Sequence, residues 1–116
     1  MNEKIHLQPL LSGPDKTPAQ QLALFAWLNL GILESLANGL IKATDAVRTF
    51  FNAENALFVQ QHLTDQVAGE IMSHGVQLAD LFDALPAEEA QMEFQRELAT
   101  IRRLCLSLLK ERSLAA

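Results

Sequence analysis

Glu70, His74 and Glu97 are the residues whose types and spacing could do chemistry together. Glu70 precedes His74 by four residues, so on a helix the two share one side. If residues 55–84 and 86–112 are helices joined at Leu85 and Pro86, the antiparallel hairpin they form sets His74 level with residues 96–97. Two carboxylates and an imidazole could hold a divalent metal, orient a partly buried histidine, or make a pH-sensitive contact. A metal needs a further ligand that the sequence does not offer. The expectation is therefore a histidine held by a carboxylate, with no metal and no cofactor.

A thiolate–imidazole nucleophile is the other chemistry to weigh, since Cys105 and His74 both fall on apolar stripes. The hairpin argues against it. His74 lies eleven residues before a turn centred on Leu85 and Cys105 twenty after it, an offset of roughly 13 Å of helix rise. His62 is nearer in level but projects from the polar face. Cys105 is expected to be a small buried hydrophobe. HExxH, CxxC, GxSxG, Gly-rich phosphate loops and paired ExxH motifs are all absent from the sequence. No catalytic set is visible, and the chain is not expected to be an enzyme.

The elements that would position these residues are all helical. Residues 1–16 carry Pro9 and Pro14, with Pro18 close behind, which forbids a long helix; they are expected to form an extended N-terminal arm. Residues 17–112 are expected to form one helical domain. Thr17 and Pro18 open a long first helix, as N-cap and first helical residue. Asn38 and Gly39 suit its C-terminus, with a short second helix from about Thr44 to Phe51. Thr64 and Asp65 could interrupt the next helix, and Gly75 could bend it. Ala90, Phe94, Leu98, Ile101, Cys105 and Leu108 give the last helix its core face. The fold class is all-α: a single-domain, up-and-down bundle of about four helices whose last two form an antiparallel hairpin.

Residues 22–41 are the most apolar stretch, with only Asn29, Glu34, Ser35 and Asn38 polar. Leu22, Phe25, Asn29, Ile32 and Leu36 recur at alternating steps of three and four, the spacing of a seam between two packed helices. A membrane span is disfavoured by those polar residues and by the lack of flanking Lys or Arg clusters. Asn29 in the seam has two readings. It caps a loop carbonyl within its own chain, or it pairs with its own copy across a dimer and fixes the register. Trp27 projects from the opposite side, beside Gly31 and Glu34, where a large aromatic suits an interface anchor.

The chain has 116 residues, 49% of them hydrophobic and 20% charged, with a formal net charge of −5. Such an apolar excess in a small domain points to surface that meets a partner. The acidic balance argues against nucleic acid. Charge is also segregated. Between Arg48 and Arg96 there is no Lys or Arg, against eight Asp and Glu; from Arg96 onward five basic residues face Glu97 and Glu111. One cysteine excludes an internal disulfide and fits a reducing cytoplasm. No secretory leader is expected, because the first residues lack a long apolar core.

Residues 36–48 have the helix, Gly-turn, short-helix cadence of a helix-turn-helix. Their short second helix would offer Thr44, Asp45, Arg48 and Thr49 to DNA, and Asp45 would repel phosphate. The sequence thus leads to a non-catalytic, self-associating interaction module, with Leu22, Phe25, Asn29, Ile32, Leu36 and Trp27 at the interface. The partner is a second copy, or another protein with a basic surface. A helix-turn-helix regulator and a small-ligand or metal-binding bundle, centred on Glu70, His74 and Glu97, are the alternatives.

Overall fold

The computed structural model describes residues 4–113. Among them lie seven α-helices and one π-helical turn, and no strand. The helices are α1 (Leu7–Leu11), α2 (Pro18–Ala37), α3 (Ala43–Thr49), α4 (Ala53–Phe58), α5 (Gln66–Val76), α6 (Asp80–Ala84) and α7 (Ala87–Ser113). The π turn, Val59–Leu63, follows α4 directly. The all-α expectation holds. The middle of the chain is more broken than a four-helix reading allows, because Asn52, Asp65 and Gln77 each begin or end a helix. No helix among the described residues is long and apolar enough to cross a membrane.

Local chemistry explains the boundaries. Thr17 Oγ1 accepts from the Gln20 N–H at 3.1 Å, and Gln20 Oε1 accepts from the Thr17 N–H at 2.8 Å. This reciprocal box opens α2 with Pro18 in the first turn. At the other end Gly39 takes φ +70°. The Leu40 N–H then reaches Ser35 O at 2.9 Å and the Gly39 N–H reaches Leu36 O at 3.2 Å, the bond pair of a Schellman stop. The reversal carries Leu40 off the apolar stripe, and it stands 75% exposed instead of joining the core. Phe82 is 43% exposed.

The N-terminal arm is not wholly extended. Leu7 and Leu11, one turn apart, point inward and are fully buried. Pro9 is tolerated because it falls in the first turn, where its missing N–H had no partner. Asn55 holds this segment down. Its Oδ1 accepts from the Leu7 N–H at 3.0 Å, and its Nδ2 donates to Ile5 O at 2.7 Å and Phe50 O at 2.9 Å. The Ile5 N–H adds a bond to Thr49 O at 2.8 Å.

α7 is the axis of the fold. Its 27 residues span about 40 Å, close to the 46 Å long dimension of the molecule. α2 packs along one side of it and α5 along another. Glu34 of α2 lies 3.7 Å from Arg102 of α7, and Leu36 borders one cavity with Phe94 and Gln95. Every residue expected on the core face of α7, from Ala90 to Leu108, is buried. Phe25, Phe50 and Phe51 fill the centre, with ring centroids 6.4 Å and 5.0 Å apart. Gly75 lies so close to the Phe51 ring that a Cβ there would sit 2.1 Å from Phe51 Cδ1.

Candidate functional site

α2 is apolar on nearly every side, and its two faces have different fates. Leu22, Phe25, Asn29 and Leu36, four of the five seam residues expected at a dimer interface, are buried within their own chain together with Ala26 and Leu33. A three-and-four repeat announces a partner helix but does not say whose. Here α7 supplies it from within the chain through its own apolar stripe. Ile32 is only partly buried, and Trp27 is 56% exposed.

Trp27 belongs to the outer face of α2. With Leu24, Leu28, Gly31, Ile32 and Ser35 it borders a shallow groove of about 330 Å³. Gly31, one turn after Trp27, is exposed, and a Cβ built there meets nothing within 4 Å. The face is uncharged from Ala23 to Gly31, and Glu34 at its far end leans to Arg102 of α7 at 3.7 Å. A helix with this much apolar surface is normally covered all round. Here Leu24, Leu28 and Ile32 are only partly buried, and Trp27 is more than half exposed.

Asn29 faces inward, away from any surface on which a second copy could sit. It has no exposure; its Nδ2 donates to Phe25 O at 2.8 Å, within its own helix. Its Oδ1 is buried without a hydrogen-bond partner. The carbonyl it reaches belongs to its own helix and not to a loop, and the amide oxygen is left over.

His74 and Glu97 meet as the hairpin levels require, Nδ1 to Oε1 at 2.9 Å. Glu70 does not join them. It lines a different groove, between the π turn and α5. No group of three His, Cys, Asp or Glu among the described residues is placed to hold a metal. Four residues of spacing put Glu70 and His74 on one side of α5, but α7 covers only the part of that side where His74 stands. Cys105 is fully buried, and burial pushes its thiol up to about 12, with Arg102 pulling the other way. It is not a nucleophile at neutral pH. His62 is exposed and stacks on Phe58 at 5.0 Å.

The short helix of the helix-turn-helix cadence is present as α3, seven residues long. Its only Arg is tied to Asp45, Arg48 Nη2 to Oδ1 at 2.7 Å. The Lys42 backbone N–H, followed by Arg48, holds the Asp45 carboxyl below its usual value. Arg48 is therefore already engaged on the face that would read bases.

The groove between the π turn and α5 escapes sequence reasoning. Thr64 and Asp65 mark a boundary in the sequence, but nothing there announces a π turn or a left-handed Thr64 at φ 46°. A β-branched residue in that region is strained, and such strain gathers at functional places.

Residues 16–115 match the family described as "Protein of unknown function (DUF3969)". The match spans most of the chain, which belongs to this family. No curated protein and no solved structure matches it.

Proposed function

We propose that this member of the DUF3969 family is a non-catalytic interaction module that self-associates through the outer face of α2. The observation that carries the reading is Trp27, 56% exposed at the middle of an uncharged apolar face. Large aromatics surrounded by apolar neighbours anchor interfaces. The face is also self-complementary. Trp27 and Gly31 are one turn apart, so a second α2 laid antiparallel about a two-fold axis sets each Trp27 over the partner's Gly31. The space above Gly31 is open to receive it. With no charge along the contact, like copies do not repel.

A stable interface buries about 800 Å² on each partner, roughly a ninth of the 7036 Å² surface of this chain. A helix face 20 residues long is about 30 Å by 10–12 Å in outline, which falls short of that figure. The dimer is accordingly of moderate affinity, in the micromolar range. Specificity against other partners comes from the acidic surface of α5 and α6. A free buried thiol and the absence of a catalytic set are in keeping with a cytoplasmic binding protein.

The test uses a convenient property of the chain: Trp27 is its one tryptophan, and it has no tyrosine. Emission therefore reports directly on the proposed contact. Between low and high micromolar concentration it should move to shorter wavelength, in step with a doubling of mass by light scattering. Gly31→Arg, which keeps the fluorophore, should abolish both changes without loss of helicity. A strict monomer up to 100-fold above micromolar concentration, with constant emission, would sink the proposal.

A further inference from the structure

We infer that the groove between the π turn and α5 docks a basic amphipathic helix from a different protein, at a site separate from the α2 face. The groove holds about 650 Å³. Its floor is apolar, made by Ala56, Val59, Met72 and Val76. Val59 and Met72 are almost wholly buried and present only their tops to the opening. Gly69 lies in its wall, and a Cβ built there meets nothing within 4 Å, so the opening continues down to the α5 backbone. Two helices diverging from a reversal, with an apolar trough between them, are the usual cradle for a third helix.

The reversal keeps the trough open. The π turn ends in Thr64, whose N–H bonds back to Val59 O at 3.0 Å, and Asp65 restarts the helix by accepting from the Ala68 N–H at 3.1 Å. No residue is left to fill the angle between the turn and α5.

Charge selects the occupant. Among the described residues, the charged side chains lining the groove are the carboxylates Asp65 and Glu70. Both lie in the stretch from Thr49 to Gln95, which has no Lys or Arg and eight Asp and Glu. Gln60, Gln66 and Ser73 complete the rim as neutral hydrogen-bonding groups. An apolar stripe flanked by Lys or Arg matches both the floor and the rim, whereas an acidic helix would meet like charge along the whole side. The α2 face offers no such selection because it is uncharged over its central turns. The two surfaces therefore suit different partners, a second copy on α2 and a basic helix at the π turn.

The experiment uses the full chain and two synthetic helical peptides of fourteen residues. Both carry Leu at helical spacing; the rest of one is Lys and Ala, of the other Glu and Ala. The Lys peptide should bind, with amide shifts concentrated in residues 56–76, and its affinity should fall at least tenfold between low and high salt. Gly69→Leu should abolish that binding. Because Leu is a stronger helix former than Gly and the space is empty, this variant should melt no lower than the parent. Glu70→Lys should weaken binding about tenfold or more. Equal binding of the Glu peptide would overturn the inference. So would unchanged binding by Gly69→Leu, shifts centred elsewhere, or no binding of the Lys peptide at low salt. The α2 proposal is read separately, since Gly69→Leu should leave the mass and Trp27 emission unchanged, and Gly31→Arg should leave peptide binding unchanged.

Discussion

Replacing Asn29 with Leu should stabilise this protein, although Asn29 is fully buried and hydrogen-bonded. The reasoning rests on its two amide atoms. Nδ2 donates to Phe25 O at 2.8 Å, a carbonyl that already receives a helical bond from the backbone N–H of Asn29. Losing the side-chain bond leaves no orphan behind, so the loss is a neutral bond of about 0.5–1.5 kcal/mol. Oδ1 has no partner, and an unsatisfied buried acceptor costs about 1–3 kcal/mol. Leu keeps the branched outline and heavy-atom count of Asn but is bulkier, so at a side chain with no exposure its added apolar contact is offset by the strain of fitting it. The net expectation is a gain of about 1 kcal/mol, seen as a rise in melting temperature of about 4 °C for a domain of this size. Urea unfolding followed by far-UV circular dichroism measures it, with the slope against denaturant unchanged if only the native state is affected. Asn29→Asp should lose several kcal/mol, because it leaves a charge where even a carbonyl lacks a partner. The argument is refuted if Asn29→Leu is less stable than the parent by 1 kcal/mol or more. In that event Oδ1 is satisfied in solution, and the polar group contributes to stability.

Gly75→Ala should destabilise by about 1–3 kcal/mol, since the added Cβ would lie 2.1 Å from Phe51 Cδ1; pairing it with Phe51→Leu should recover part of the loss in thermal melts. Cys105 should react with a thiol reagent only as fast as the protein unfolds. Its thiol is raised from 9.0 to about 12 in the folded chain, so the folded state holds a proton that the unfolded state has lost. That contribution is complete below pH 9 and should decline by up to about 1.4 kcal/mol per pH unit on the way to pH 12. Cys105→Ala should show a shallower alkaline loss, measured by denaturant midpoints from pH 8 to 11.

Much of the fold is legible in single residues. Thr17, Pro18, Asn38 and Gly39 bound α2 because caps act through hydrogen bonds within a few residues of chain. Asp65 restarts a helix for the same reason. The core face of α7 follows from a long periodic pattern with no competing signal. The meeting of His74 with Glu97 agrees with the level read from a turn at Leu85 and Pro86, although the chain between them is broken at Gln77 and α6 is a separate short helix. The arm is different. Its prolines argue for extended chain, and only tertiary contacts, the bonds from Asn55 some fifty residues away and the burial of Leu7 and Leu11, make a helical turn of Leu7–Leu11 worth forming.

The sequence by itself determines that this is an all-helical, acidic chain with an uncommonly apolar first long helix, because composition, caps and periodicity are local properties. Tertiary structure alone decides which face of that helix is spent. The repeat through Leu22, Phe25, Asn29 and Leu36 demands a partner, and apolar burial is indifferent to whether that partner is α7 or another copy. Once α7 takes that face, Trp27 and Gly31 are left outside. The groove at the π turn is decided in the same way, since its floor and rim come from α4, the π turn and α5, and their pairing in space is written in no single segment.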